Sequence, residues 1–375
     1  MAPLTIAVVS EQRSSYLQDG FSQQDCAALT HDGETEAIVA TLKNLGHKTI
    51  LVPGIKDLVQ HLASGNQRQW DLVFNVAQGF FGSAREAQVP ALLEAYRVPF
   101  TFADADTMGL CQNKRNTKIV LDHYQVPTAP FQAVSPRQQG SSIDELLDSK
   151  HLFYPLFVKL TTEGSSKGVD GYNKVNNAKE LQTAIDKTRS NFPGHTILVE
   201  SFLAGREFSV SLLGTGESSR VIAVREHIHL WQEDGIQDGD VDGPDAQGFL
   251  GWKSKSRHTE GGLLKFKDFD VRNKDNLEPQ IQAACCLAIK AWTVLDCRDA
   301  GRVDMRLDSC TADARLFVME VNPIAGLLPD HSPLAAGAQV SGISFDELLA
   351  EIVDSAMRRG QGESTSNGTR SPEYS

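Results

Sequence analysis

The sequence contains no apolar run near the ~18 residues that a membrane helix requires, which excludes a hydrophobic spanning segment. Its start, MAPLTIAVVSEQ, lacks the basic stretch of a secretory leader and soon turns polar, so it reads as a first strand. Cysteine is scarce. Cys26, Cys111, Cys285, Cys286, Cys297 and Cys310 show no Cys-x-x-Cys spacing and read as small buried hydrophobes in a reducing, cytoplasmic setting. Basic residues are outnumbered, 36 against 48, for a net charge of −12. An acidic surface repels phosphate backbones, which removes nucleic acid as a main partner but leaves room for a small anion in a locally basic cleft. No Gly-x-Gly-x-x-Gly follows the first strand, where the chain reads VVSEQRSSY, so a dinucleotide-dependent dehydrogenase has no support. There is no internal repeat.

What is present is a regular alternation. At ~100–200 residues per domain, 375 residues correspond to two or three domains. Short apolar runs at Leu4–Val9, Thr49–Val52, Asp71–Val76 and Pro99–Phe102 alternate with amphipathic stretches at about 34–46, 55–64 and 84–96. Such a pattern predicts a parallel sheet covered on both faces. Ligands of these sheets sit beyond the carboxyl ends of the strands, so the loops after Val9 (long and polar, 10–33) and after Val76 are the ones that matter. Near Thr107 a second region begins, with a helix carrying Lys114, Arg115 and Lys118. Strands are expected at 129–134, 155–160, 171–175, 196–202, 206–213 and 220–229, interrupted by a helix at 177–191. Residues 231–262 are polar, rich in Gly and Asp, and too long for an idle connection, which predicts a lid. A helix over 278–295, strands at 301–308 and 315–322, a Gly/Pro-rich loop at 323–342 and a helix over 344–358 follow. The fold class is α/β followed by α+β. The expected units are 1–106, 107–213 and 214–359, with 360–375 as a disordered tail.

The most informative segment is GRVDMRLDSCTADARLFVMEVN, residues 301–322. Side chains alternate across a strand, so Val303, Met305 and Leu307 face one way and Arg302, Asp304, Arg306 and Asp308 the other. Phe317, Met319 and Val321 are likewise expected on one face, with Glu320 and Asn322 on the other. A hairpin with its tip near Ala312 sets Asp304 opposite Glu320 and Arg302 opposite Asn322. Directly opposed carboxylates destabilise a sheet unless a cation lies between them. Carboxylate and amide oxygens are hard ligands that suit Mg²⁺, with phosphate completing its octahedron. Arg302, one pleat away, can hold a developing anion. A solvated polar face on an edge hairpin has the same pattern.

Two further segments add to this one. In FVKLTTEGSSKGV, residues 157–169, a strand delivers Lys159 into a Gly/Ser-rich turn whose N–H groups and hydroxyls suit phosphate oxygens. It is not the GxxxxGK[ST] pattern, and a plain hairpin turn fits it equally. In LVESFLAGREF, residues 198–208, Glu200 and Glu207 flank a glycine and are candidate acceptors for an adenine amine and ribose hydroxyls, or simply surface glutamates.

Taken in order, these segments resemble the ATP-grasp enzymes and, among them, the D-alanine–D-alanine ligase group. The likeness covers about residues 71–355. FNVAQGFFGSAREAQVPALLEAYRVPFT is similar to FN-x-x-HG-x-x-GE…Q-x-x-LE-x-x-x-IP-x-T, and NKRNTKIVLDHYQVPTAPF to DK-x-x-TK…G-x-P-TP. FVKLTTEGSSKGV is similar to VKP-x-x-EGSS-x-GV, and LVESFLAGREFSVSLLG to E-x-x-x-x-G-x-E-x-x-V. RVDMRLD…VMEVNPIAGLLPDHSPL…SGISFDELL is similar to R-x-D…LE-x-N-x-x-PG-x-x-x-x-S…AGISF.

The resemblance implies an ATP-grasp fold behind an amino-terminal, Rossmann-like parallel-sheet domain. It implies ATP with two Mg²⁺ ions (Mn²⁺ as a substitute), small-molecule carboxylate and amine substrates, and a homodimer. Lys114 and Lys159 look like the phosphate lysines, and Glu163, Gly164, Ser165 and Ser166 like part of the phosphate-covering loop. Glu200 and Leu203 look like adenine contacts and Glu207 like the ribose contact. Asp304, Glu320 and Asn322 look like the metal ligands. Arg302 looks like the oxyanion arginine, with Ser165 and the lid lysine Lys255 completing the catalytic set. Gly326, His331 and Ser332 look like the acyl-substrate pocket, with Glu36 and Glu34 as nearby acids. Three segments depart from the family pattern. SEQRSSY replaces the GG-x-S-x-E loop, Ser254-Lys255-Ser256 replaces Ala-Lys-Tyr, and Ala325-Gly326 replaces Pro-Gly ahead of a longer Pro329–Ser332 turn. All lie on the amino-acid side, which implies a substrate pair other than two D-alanines. A true D-alanine–D-alanine ligase and a non-catalytic nucleotide-binding protein are the competing readings.

Overall fold

The computed structural model describes residues 2–136, 147, 152–164, 167–229, 264–273 and 276–366. The first unit is a parallel sheet in the order β2-β1-β3, built from β1 (Thr5–Val9), β2 (Lys48–Val52) and β3 (Leu72–Asn75). Its strands are nearly continuous apolar runs because both faces are covered. One face packs on α3 (Ile55–Ala63) and α4 (Gln88–Ala95), through Leu58, Leu62, Val89 and Leu93. The other packs on α2 (Asp32–Asn44) through Ile38 and Leu42. The fourth expected strand makes only a single parallel bridge, Val73 to Phe100. Arg97 at φ 55° and Phe102 at φ 71° bound it, and left-handed backbone cannot continue a strand. The long loop after β1 contains a short helix, α1 (Arg13–Gln18).

The expected helix near Thr107 is two helices, α5 (Ala105–Gln112) and α6 (Lys114–His123). They break at Asn113, whose extended backbone and side-chain oxygen cap α6 by accepting from the Asn116 N–H. A four-stranded antiparallel sheet follows in the order β4-β7-β5-β6. Its strands are β4 (Phe131–Val134), β5 (Leu156–Leu160), β6 (Lys174–Val175) and β7 (Ile197–Ser201), backed by α7 (Ala178–Asn191).

A five-stranded antiparallel sheet, β10-β9-β8-β11-β12, completes the molecule. It comprises β8 (Glu207–Leu213), β9 (Arg220–His229), β10 (Leu264–Asp270), β11 (Ala300–Leu307) and β12 (Leu316–Asn322). α8 (Pro279–Val294) buries Trp292, Ala288 and Ile281 against it. β10 had no counterpart in the sequence reading, although LKFKDFD alternates with period two. The segment expected as a loop over 323–342 contains α9 (Pro333–Val340), with proline in its first turn and Leu334, Ala335 and Ala338 buried. The last helix, α10 (Phe345–Ser366), takes in residues 360–366 of the segment expected as a tail. The lid expected over 231–262 lies outside the described residues. Among the described residues, no helix is long and apolar enough to cross a membrane.

Candidate active site

β11 lies between β8 and β12, and its pairing with β12 sets Asp304 opposite Glu320 and Arg302 opposite Asn322, as the hairpin arithmetic expects. The register then shifts, so that Met305 pairs with Val318 and Met319 is the extra residue. A one-residue bulge reverses the alternation beyond it. Phe317 and Met319 therefore do not share the face of Val321. They join Ala129 and Leu203 on the cleft side, while Val318 and Val321 enter the core beside Val303 and Met305. This corrects the expected common face of Phe317, Met319 and Val321, and it lets two consecutive residues, Met319 and Glu320, line one cleft.

Asp304 is buried, and its carboxylate is the centre of a small network. Oδ1 accepts from Ser209 Oγ at 2.6 Å and from Arg302 Nε at 2.8 Å, and Oδ2 accepts from Asn322 Nδ2 at 3.1 Å. Burial works against the Arg302 charge, but Asp304, with Glu320 and Glu207, keeps the guanidinium more firmly protonated than usual. Glu320 Oε2 meets Lys114 Nζ at 3.2 Å. The donor set is thus two carboxylates and one amide oxygen. That set fits a hard divalent cation whose remaining positions are filled by phosphate. Among the described residues, no cluster of three or more His, Cys, Asp or Glu side chains offers an all-protein site.

The other wall of the cleft is the four-stranded sheet. β5 and β7 pair Phe157 with Glu200, which places Lys159 diagonally on the same face as Glu200. Lys159 Nζ lies 2.5 Å from Glu200 Oε1, and Lys118 Nζ lies 2.9 Å from Oε2. Burial alone would raise the Glu200 carboxyl, but the two ammonium groups override it and hold the group at about 2. Glu200 thus pairs with two lysines at the position expected to accept an adenine amine. Lys118, fully buried, also donates to Thr128 Oγ1 and the Ala129 carbonyl, and loss of water pulls its ammonium below the ordinary lysine range. Lys114 donates to the Glu163 carbonyl at 2.8 Å. Lys114, Lys159, Gly164, Leu203, Glu207 and Glu320 line the same cleft. Leu203 sits in its apolar slot, and Glu207 Oε2 lies 3.4 Å from Arg306 Nη1. Ser165, Ser166 and Lys255 lie outside the described residues.

The substrate side differs from expectation. Glu36 is exposed on α2 and His331 is exposed at the turn before α9. Glu34 is the acid that faces inward. Positions 34, 35 and 38 form the buried stripe of α2, and position 36 falls about 200° round the helix from 34. Glu34 Oε1 accepts from Leu327 N at 2.8 Å, and a Cβ on Gly326 would come 3.8 Å from its Oε2. Ser332 is buried and accepts from Leu328 N at 3.0 Å, so Gly326, Ser332 and Glu34 do come together. Burial pushes the Glu34 carboxyl up to about 7, against the Leu327 hydrogen bond and Arg13.

A family model described as "D-ala D-ala ligase C-terminus" matches residues 120–354, well over half of the chain. The chain belongs to the D-alanine–D-alanine ligase family. It is 29% identical to the uncharacterized protein y4sG of Sinorhizobium fredii over 86% of this chain and 87% of that protein. It is 26% identical to the D-alanine–D-alanine ligase of Rhodospirillum rubrum, over 92% of this chain and 98% of the relative. In structure it is similar to the D-alanine–D-alanine ligase of Bacillus anthracis complexed with ATP, with a TM-score of 0.69, 17% identity and coverage of 97% of this chain and 100% of that one. Membership brings the coarse activity with it: an ATP-dependent enzyme that forms carbon–nitrogen bonds.

Within the D-alanine–D-alanine ligase family frame, two polar residues at this site had escaped the sequence reading, Arg85 and Ser209, while Lys118 was placed only on its helix and Glu34 only near the site. Ser209 was recoverable, since Glu207, Ser209 and Ser211 alternate along β8. Arg85 was not, because its partners Thr162 and Glu163 are far away in the chain.

Proposed function

We propose that this chain is an ATP- and Mg²⁺-dependent ligase that joins the carboxylate of an amino acid or related small metabolite to an amine. A substrate carboxylate oxygen attacks the γ-phosphorus and ADP leaves. The amine nitrogen then attacks the acyl carbon of the resulting acylphosphate, phosphate leaves, and the nitrogen loses its proton. The observation that carries this reading is Asp304 opposite Glu320, with Asn322 bonded to Asp304, at the edge of the cleft that holds Lys114 and Lys159. A scaffold protein has little use for opposed carboxylates, which disfavours a non-catalytic role.

Asp304, Glu320 and Asn322 would hold Mg²⁺, which supplies charge neutralisation at the β- and γ-phosphates. Lys114 and Lys159 bind phosphate oxygens. Leu203 packs against the base, and Glu207 accepts from the ribose hydroxyls. Arg302, kept charged by Asp304, stabilises the oxyanion that forms when the amine attacks. Gly326, Ser332 and Glu34 bound the acyl-substrate pocket, where the chain departs most from the family pattern. The substrates are therefore not assigned to two D-alanines.

A coupled ADP-release screen over carboxylate and amine pairs, D-alanine included, tests the reading. Turnover should require Mg²⁺ and one specific pair. Glu320→Gln should lower Mg²⁺-dependent turnover by about two orders of magnitude or more, the scale of removing one preorganised charge-stabilising group. If Glu320→Gln turns over like the wild type, the metal assignment is wrong.

A further inference from the structure

The phosphate-binding wall is held by a side chain from another unit. Arg85, in a short 3₁₀ turn after β3, belongs to the parallel-sheet unit and is only 7% exposed. Its Nη1 donates to the Thr162 carbonyl at 3.1 Å and to Glu163 Oε1 at 3.3 Å. The Thr161–Gly164 stretch directly follows β5, the strand that delivers Lys159, and its carbonyls also hold Lys114. Thr161 O accepts from Lys114 N and Glu163 O from Lys114 Nζ, each at 2.8 Å. Lys167 Nζ and His195 Nε2 lie farther from the Glu163 carboxylate, at 3.8 Å each.

Arg85 is itself fixed from behind. The chain folds back so tightly that a Cβ on Gly79 would lie 2.4 Å from the Arg85 carbonyl oxygen and 2.8 Å from its Cβ. Gly79, at φ 64°, adopts a backbone that other residues rarely take, and its N–H donates to buried Glu11 Oε2 at 3.1 Å. Glu11 follows β1, and Gly79 and Arg85 follow β3. These are the two loops at the carboxyl end of the parallel sheet, where ligands of such sheets are received. A second link runs alongside, since Asp25 in the loop after β1 meets Lys167 at 3.5 Å.

We propose that Arg85 is a positioning residue: it clamps the Thr162–Glu163 segment to the substrate-side loops, so that Lys114 and Lys159 are presented to the nucleotide phosphates only while the parallel-sheet unit holds that segment. A planar guanidinium keeps its charge when buried and holds its donors in fixed directions, which the flexible, more strongly hydrated lysine ammonium does not. The inference rests on the nucleotide reading of the cleft.

The test is calorimetric binding of a non-hydrolysable ATP analogue with Mg²⁺ to the full chain, with thermal melts run in parallel. Arg85→Ala should weaken binding at least tenfold and Arg85→Lys by an intermediate factor. Adding Glu163→Gln to Arg85→Ala should weaken it little further, because the two act through one contact. Should both Arg85 variants melt lower yet bind the analogue with wild-type affinity, Arg85 is only a structural tie and the proposal is overturned. Should the wild type itself fail to bind the analogue, the nucleotide reading falls instead.

Discussion

Glu34 and Glu36 are two residues apart and chemically identical, yet only one is in the site. The helix turns position 34 toward Gly326 and Leu327 and leaves position 36 in solvent. The sequence marked an acid in this stretch but could not choose, because the partner loop is almost the whole chain away. Burial has a measurable consequence. The folded state holds a proton on Glu34 up to about pH 7, whereas the ordinary value is 4.5. Between those limits the native protein binds more protons than the unfolded chain, so stability contributed by this group falls as pH rises. Glu86, pushed to about 7 by loss of water, acts in the same window. Glu34→Gln keeps an acceptor for Leu327 and removes the titration. Its melting temperature should decline less than that of the wild type between pH 4.5 and 7, and it should gain up to about 3 kcal/mol at neutral pH. Parallel declines in the two proteins would count against a buried, proton-holding Glu34.

At the scale of elements, the β11–β12 hairpin was the most legible part of the molecule. Period-two patterning and a single turn position suffice to place Asp304 across from Glu320. The bulge was not legible, since nothing in LFVMEVN distinguishes a continuous strand from one with Met319 extruded. Crowding is visible at Gly301. A Cβ there would lie 2.5 Å from the Asn322 carbonyl oxygen and 2.5 Å from the buried Trp292 ring. Gly301→Ala must displace β12 backbone or a packed indole, at a cost of about 1–3 kcal/mol or more. A thermal melt should show a fall of several degrees, accompanied by loss of ATP-dependent turnover through the adjacent Arg302–Asn322 pair. An unchanged melt would show that the hairpin has slack to take a methyl group at this position. α9 was overlooked for a different reason. Its glycine and flanking prolines suggest a loop, but the Leu334, Ala335 and Ala338 stripe finds a core to bury in.

Across the whole molecule, a buried ion pair ties the last helix to the start of β11 and to the Phe100–Phe102 segment of the first unit. Asp299 precedes β11, and its fully buried carboxylate accepts from Phe102 N at 2.7 Å and from Arg359 Nη2 at 2.6 Å. Arg359, on α10, also donates to the Phe100 carbonyl at 3.1 Å. Loss of one partner would strand a buried charge, so Arg359→Met should destabilise the fold by about 3–5 kcal/mol, as urea unfolding would report. A change below about 1 kcal/mol would mean that Asp299 is hydrated or otherwise compensated. The doubly covered first sheet and the acid–amide pattern of the last hairpin were set by local periodicity, whereas β10 and α9 were not read from it. Hydrophobic alternation acts between near neighbours and needs no knowledge of distant chain. Which glutamate turns inward, which lysines Glu200 anchors and which arginine grips the Thr162–Glu163 stretch were decided only when three sheets were brought into contact. Those choices depend on burial and on partners remote in sequence, and desolvation has no one-dimensional signature.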